Sequence, residues 1–330
     1  MSGPLLFEPI SLRDVTLKNR VVVAPMHQYS AVKGFATDWH LMNAGRYAAG
    51  GAGLVIMEST KVERRGCGTV GDLGIWDDAF VPGLRRCVEF IRKHDAVPGI
   101  QLGHSGRKAR RFRPWEGGAP LTPSPEIDDW EAWELVSSSD RSSPATDPSP
   151  RALTRAEIPE VVERWGQAAR RAHEAGFDVL DVHAAHGYLI HQFLSPFSNL
   201  RNDEYGGSEL NRMRFCIEVV ESVRAHWPAG KPLFVRFSRG RRRLGARPER
   251  RPGEDPEAQG RRRDRLQLGR HARLAGGQRR PGDLRLPGPL RRAAAPRRRH
   301  HEHGGRPDRP CRSGRADPAG GQGRPDRPGP

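Results

Sequence analysis

Residue 238 divides this chain into two stretches with different alphabets. Every Val, Ile, Met, Phe, Trp, Tyr, Lys, Asn and Thr lies in residues 1–238, and the remaining 92 residues contain none of them. The second stretch holds 27 Arg against 10 Asp and Glu, a surplus that equals the whole net charge of +17. The first stretch carries 29 basic and 29 acidic side chains and is neutral. The basicity of the chain is therefore no property of its foldable part. A neutral, mixed segment of this length can bury the core of one α/β domain or most of one. In the second stretch Arg, Gly and Pro supply 56 of the 92 residues, and seven Leu are its only large apolar side chains. Burial cannot offset the ordering entropy of such a chain, so the composition predicts disorder there.

Four cysteines (Cys67, Cys87, Cys216, Cys311) show no paired spacing, which fits a reducing compartment. The opening MSGPLLFEPISL lacks a basic run followed by an apolar one, and no apolar stretch approaches the ~18 residues of a membrane span. The expectation is a soluble cytoplasmic protein.

Apolar runs bounded by turn residues alternate with amphipathic ones. Strands are predicted at Val21–Pro25, Gly53–Glu58, Val97–Leu102, Phe177–His183 and Leu233–Ser238. Helices are predicted at Trp39–Gly50, at Ala79–His94 with Leu84, Val88 and Ile91 on one face, and after the capping box Thr154–Glu157. A last helix, Glu209–Trp227, places Met213, Ile217, Val220 and Val223 in register. Five strands, each but the last followed by a helix, imply a parallel α/β fold, open or closed. An insert at 114–150, rich in Pro, Ser and Asp and carrying Trp115, Trp130 and Trp133, reads as a partly ordered lid.

Polar residues follow each strand, which is where such folds place their sites. They are Met26, His27, Gln28 and Tyr29 after the first, and Glu58, Ser59 and Thr60 after the second. The third leads from Gln101 into His104–Lys108, the fourth ends in His183-Ala184-Ala185-His186-Gly187-Tyr188, and the fifth contains Arg236. Five such ends in succession argue for one convergent pocket. Two imidazoles three residues apart at a strand end can both donate to one oxygen, and a tyrosine two further on can supply a proton. The same histidines with His191 could instead ligate zinc, although the Glu and the i,i+4 spacing of a metalloprotease helix are missing. A third reading has them capping backbone groups. Arg236, inside an apolar strand, needs an anionic or carbonyl partner. No glycine signature for a dinucleotide or a phosphate loop precedes a helix.

These residues are embedded in longer text: Lys18-Asn19-Arg20 before Val21–Met26, Asp72-Leu73-Gly74-Ile75-Trp76, Gln101–Lys108, and Ala175 through Leu189 into Gln192–Pro196. Over residues ~5–238 this resembles the old yellow enzyme family of FMN-dependent oxidoreductases, in its bacterial branch with two site histidines. The resemblance implies an eight-stranded (β/α)8 TIM barrel with FMN at its C-terminal face and NADH or NADPH as electron donor. Pro25, Met26 and Ser59 would then touch the flavin ring, Gln101 its pyrimidine edge, and Arg236 the region where charge develops on reduction. His183 and His186 would hold the carbonyl of a small electron-poor alkene, Tyr188 would protonate it, and Tyr29 would line the substrate face. No metal is implied, and intact relatives are expected to be homo-oligomers. His27 departs from the pattern, since many of these relatives carry a cysteine there.

Only about five βα units are encoded where the barrel needs eight, so three units of roughly 100 residues are replaced by the Arg-rich stretch. Codons built from G and C alone encode Gly, Ala, Arg and Pro, which supply 65 of its 92 residues. The expectation is a frame-shifted reading of a GC-rich gene, leaving 1–238 an incomplete FMN-binding barrel and 239–330 a low-complexity tail. An alternative function is nucleic-acid binding through the Arg/Gly segments, although the tail has no aromatic for base stacking. A metal-dependent barrel hydrolase is the other alternative.

Overall fold

A computed structural model describes residues 4–124, 127–141 and 149–238. The tail, with its predicted disorder, lies outside the described residues. Each predicted strand appears. A short antiparallel hairpin, β1 (Ile10–Leu12) and β2 (Val15–Leu17), comes first, turning through Arg13 at φ +53°. Then follow β3 (Val22–Val23), helix α1 (Asp38–Ala49), β4 (Leu54–Lys61), α2 (Val81–Arg92) and β5 (Val97–Gly103). The insert after β5 contributes the two-residue pair β6 (Val136–Ser137) and β7 (Arg151–Ala152). The chain continues through α3 (Glu157–Ala175), β8 (Val179–Ala184), the short α4 (Leu189–Leu194), α5 (Glu209–His226) and β9 (Leu233–Phe237).

The sheet order β3-β4-β5-β8-β9 is parallel throughout and follows the chain. Consecutive parallel neighbours joined by helices are the walls of a TIM barrel, of which five are present. Side-chain alternation shows which face is the interior. Leu54 and Ile56 of β4 and Val179 of β8 meet Leu17 of the hairpin, with Val97 and Phe234 alongside, so the hairpin plugs the N-terminal end. The intervening residues Met57, Ile100, Leu102, Leu180 and Val182 point outward into the main core with α2 and α3. Leu84, Val88 and Ile91 lie buried on α2, as their spacing predicts. The predicted capping box forms, with Thr154 N donating to Glu157 Oε2 at 2.8 Å and Glu157 N to Thr154 Oγ1 at 3.2 Å.

Two expectations are corrected. The second strand does not stop at Glu58 but runs to Lys61. A bulge between Met57 and Ser59 resets the register, so that Ser59 pairs with Gln101 and Lys61 with Gly103. Of the polar residues read as a strand end, Ser59 faces inward, followed by Lys61, while Thr60 pairs with the outward-facing Leu102. On α5 the core stripe is Phe215, Cys216, Val219 and Val223, whereas Met213 and Ile217 are exposed. Both stripes have helical spacing, so spacing alone could not choose between them. Phe215 stacks on Phe193 at 4.3 Å. Beside the outer stripe, Val220 and Ala225 form a groove with Leu233 and Val235 of β9, the place where a closed barrel would lay its next helix.

The two stripes predict opposite outcomes. Phe215→Ala should cost about 3–5 kcal/mol in urea unfolding, whereas Ile217→Lys should stay within about 0.5 kcal/mol and reduce binding of a hydrophobic dye. Comparable destabilisation by both would contradict this assignment of the helix faces.

Candidate active site

The sheet interior changes character halfway up. Above the apolar plug the inward positions are Ser59, Gln101 and Asp181 in one row, then Lys61, Gly103, His183 and Arg236 in the next. Gly103 is required there, because a Cβ would sit 2.1 Å from Ser59 Oγ. Gln101 Nε2 donates to Asp181 Oδ2 at 2.7 Å. Burial raises the pKa of the Asp181 carboxyl, and Gln101 and Arg236 offset that only in part. Arg236 is half-exposed, and no hydrogen bond or ion pair joins its guanidinium to a described residue. It faces Asp181 through their charges, short of the partner that its place in the strand predicts.

His183 and His186 are wired in series. Ala185 N–H donates to His183 Nδ1 at 3.2 Å, which leaves the proton of a neutral ring on Nε2. That Nε2 lies 3.1 Å from His186 Nδ1, so His186 in turn carries its proton on Nε2. The outward donor of the pair is thus His186 Nε2–H. For both rings to donate to one oxygen, as the spacing predicts, the bond between them must be exchanged for one to that oxygen. Tyr188 packs against His183 at 4.7 Å between centroids. His183 is held neutral, its pKa lowered to about 2 by burial and then by Lys61 and His186.

Under this cluster lies a buried ion pair. Lys61 Nζ is 3.4 Å from Asp72 and 3.2 Å from His27 Nε2, and its ammonium sits 5.1 Å from the Tyr188 ring. Burial disfavours the Lys61 charge, yet Asp72 together with Tyr188 and Cys67 more than compensates and holds its pKa above the ordinary value. Asp72 also accepts from Gly68 N at 2.7 Å and Thr69 Oγ1 at 2.8 Å. His27 is stacked on Tyr29 at 5.3 Å. Its pKa is lowered to about 4 by burial and next by Lys61. The Tyr29 phenol is pushed up to about 12, chiefly by burial. Supporting the loop after β3, Glu58 accepts from Gln28 N at 3.0 Å and lies 3.1 Å from His40 Nε2, a close contact without hydrogen-bond alignment.

His27, Tyr29, His186, Tyr188 and Lys108 line one cavity of about 530 Å³. Ser59, Gln101, His183 and Arg236 are not on its wall; they form the sheet floor beside it. Pro25 is half-buried and Met26 is 48% exposed, both next to the edge strand β3. Of the insert's tryptophans, Trp133 is fully buried and donates to Cys67 O at 3.0 Å, while Trp115 is exposed and meets Tyr29 edge-on at 5.6 Å. His191 Nδ1 accepts from Gly187 N at 2.8 Å, and among the described residues no group of three His, Cys, Asp or Glu is placed to hold a metal.

Residues 5–242 match the NADH:flavin oxidoreductase / NADH oxidase family. The chain belongs to that family. An NADPH dehydrogenase of Geobacillus sp. (strain WCH70) is 42% identical over 236 residues, covering 71% of this chain and 63% of that protein. One from Listeria innocua is 44% identical over 235 residues, with the same coverage. An NADH:flavin oxidoreductase of Gibberella zeae is 42% identical over 233 residues, 71% of this chain and 56% of that protein. The chain therefore spans 56–63% of these relatives. Among solved structures, morphinone reductase in complex with tetrahydroNAD superposes with a TM-score of 0.62 at 31% identity, over 71% of this chain and 64% of that one. The old yellow enzyme homologue from Zymomonas mobilis gives 0.60 at 32% identity, over 71% and 63%. The five-walled sheet is thus the first part of an old yellow enzyme barrel.

Sequence reasoning missed Lys61, Asp72 and Asp181. The argument it applied to Arg236 would have found Asp181, a charge inside the predicted strand Phe177–His183 and buried with it; Lys61 lies beyond the predicted end of the second strand and is brought inward only by the bulge. Asp72 lies in a loop and carries no such signal.

The neutral histidines give a pH prediction. A folded-state pKa below the ordinary 6.5 means that the unfolded chain takes up the proton first as pH falls. Stability is therefore highest above about 6.5 and drops down to about 4, by about 3 kcal/mol for His27 alone. Urea unfolding at pH 7 and pH 4.5 should show a smaller difference for His27→Gln than for the unaltered chain. Identical differences would mean that His27 is not held neutral by the fold.

Proposed function

We propose that the site is that of an FMN-dependent NAD(P)H oxidoreductase that reduces an alkene conjugated to a carbonyl, in the cytoplasm. The observation that carries this reading is the gathering of His186, Tyr188, His27 and Tyr29 around one cavity, beside a polar sheet floor. The floor's chemistry fits the ring end of FMN: an amide at Gln101, a hydroxyl at Ser59 and a guanidinium at Arg236 provide donors and acceptors along a heterocycle edge. Pro25 and Met26 would flank the ring. The phosphate end is a different matter, since barrels of this type hold phosphates in loops after strands seven and eight.

FMN bound there would take electrons from NADH or NADPH and supply the hydride. The chain's own residues do the rest. His186 Nε2–H would hold the substrate oxygen, with His183 fixing the tautomer of the His186 ring. Negative charge growing on that oxygen would meet Lys108, whose Nζ donates to His186 O at 2.6 Å, and the buried Lys61. The Tyr188 phenol would deliver the proton. Tyr29 would bound the substrate face, with a phenol too weakly acidic to ionise at neutral pH.

We further propose that residues 1–238 are an incomplete barrel and that 239–330 are a frame-shifted reading, so that this chain retains FMN poorly. The nucleic-acid alternative rests on residues outside the described ones. Translating the DNA across codons 230–250 in the other two frames tests the break: a frame that restores apolar strands and a glycine-rich loop supports it, and its absence opposes it. With saturating FMN and NADPH, Tyr188→Phe should lower 2-cyclohexenone reduction about 10²–10⁴-fold while leaving flavin reduction by NADPH intact. Unchanged enone reduction would remove Tyr188 as the proton donor.

A further inference from the structure

The Lys61 ammonium has three N–H bonds to place and three acceptors around it. The bulge in β4 carries it into the sheet interior, where Nζ lies 3.4 Å from Asp72 Oδ2, 3.3 Å from Ser59 Oγ and 3.2 Å from His27 Nε2. An ammonium only donates, so His27 Nε2 can only accept. A neutral imidazole that accepts at one nitrogen carries its proton on the other. His27 therefore holds its proton on Nδ1, and this Nδ1–H bonds to no described residue.

The ring is held in that sense from several sides. Its face stacks on Tyr29 at 5.3 Å between centroids, with 19° between the planes. Tyr29 takes a left-handed backbone at φ +54°, a conformation that persists only where the surroundings impose it. Arg113 Nε donates to its carbonyl at 3.1 Å, and on the other side Glu58 accepts from the N–H of Gln28 at 3.0 Å. Turning the His27 ring over would set Nδ1–H against the ammonium, donor against donor.

The same device operates at His186 with the nitrogens exchanged: His183 occupies Nδ1 and leaves Nε2–H as the outward donor. Both His27 and His186 line the cavity, and both stand edge-on to Tyr188, at 6.3 and 6.5 Å between centroids. An oxygen held at His186 alone would leave the donor at His27 unmet. A donor that a ligand covers without satisfying weakens binding, whereas a ligand with a second acceptor gains there.

We propose that Lys61 is a positioning residue that fixes His27 as a hydrogen-bond donor, and that the substrate of this cavity carries two acceptor oxygens, one for His186 and one for His27. Its class is then an unsaturated dicarbonyl compound rather than a simple enone. The first contact rests on the proposed function; the second rests on Lys61 and His27 alone.

The test uses the full chain labelled with 15N-histidine, without flavin or nicotinamide. Long-range 1H–15N correlation spectra report which ring nitrogen carries the proton, and His27→Gln identifies the His27 signals. At pH 7 the unaltered chain should show His27 neutral with its proton on Nδ1. A proton on Nε2, or on both nitrogens, overturns the proposal without recourse to any variant. Replacing both buried charges together, Lys61→Met with Asp72→Asn, should release His27 to the Nε2–H form, with unchanged His104 signals as the control for folding. An unaltered Nδ1–H pattern in that folded double variant would mean that Lys61 does not set it. The ligand arm compares cyclohexane-1,4-dione with cyclohexanone, neither of which has an alkene to reduce. The dione should bind about tenfold more tightly, should move the signals of both His27 and His186, and should lose its advantage in His27→Phe. Equal affinities, or a dione that leaves the His27 signals in place, overturn the second contact. If the dione moves His27 but not His186, the His27 contact stands and the carbonyl reading at His186 falls. If FMN moves the His27 signals by itself and the dione then adds nothing, the oxygen is the flavin's and the proposed substrate class falls.

Discussion

Lys61 and Asp72 place two full charges where the barrel wall is most closely covered, 3.4 Å apart and almost without exposure. Removing two ions from water costs several kcal/mol each, and their attraction repays it only when every remaining donor and acceptor is met. Here they are met, by Gly68, Thr69, Ser59 and His27. The consequences spread outward. Burial, and after it the ammonium, denies His27 a proton, and the neutral His27 can then stack on Tyr29 and present an edge to Tyr188. Burial and then the same ammonium also keep His183 neutral, which the series of donors through His186 requires. One buried pair thereby reinforces what burial imposes on both His27 and His183.

The bulge in β4 makes that pair possible. Without it, strict alternation from Leu54 and Ile56 would carry Glu58 and Thr60 inward and turn Lys61 toward the helices. The extra residue moves Ser59 and Lys61 to the interior instead. Glu58, released from the alternation, reaches back to Gln28 and His40 and steadies the loop that carries His27 and Tyr29. A one-residue irregularity converts a strand tip into two supports for the site.

Much of this was legible in the sequence. The strands were, because a parallel sheet covered on both faces needs continuous apolar runs, and Val97–Leu102 or Phe177–His183 read as nothing else. The strand-end polar groups were legible as a convergent set, and Tyr29, His186 and Tyr188 do line a single cavity. The bulge was not, since the residues Met57 to Ser59 contain no glycine or other mark of a register change. Nor was the choice of face on α5, where Met213 and Ile217 repeat as regularly as Val219 and Val223.

Two histidines at the ends of neighbouring strands show how the same local geometry serves different ends. His104 and His183 each accept a hydrogen bond at Nδ1 from the backbone N–H two residues on, Gly106 and Ala185 respectively. Each must therefore, when neutral, donate through Nε2. For His104 the acceptor is Glu63, at 2.6 Å, a carboxylate whose pKa is brought down to about 2 by His104, Arg65 and Arg164 against the cost of its burial. That donor is consumed inside the structure, and the ring is a fixed strut between the loops after β4 and β5. For His183 the acceptor is another imidazole, on an exposed residue of the next loop. A carboxylate would end the chain of donors; an imidazole passes it on, from a ring sheltered in the sheet to a donor at the cavity wall. The two rings differ only in the residue that receives the Nε2 proton, a carboxylate for His104 and an imidazole for His183, and no property of the histidine or its strand would reveal it.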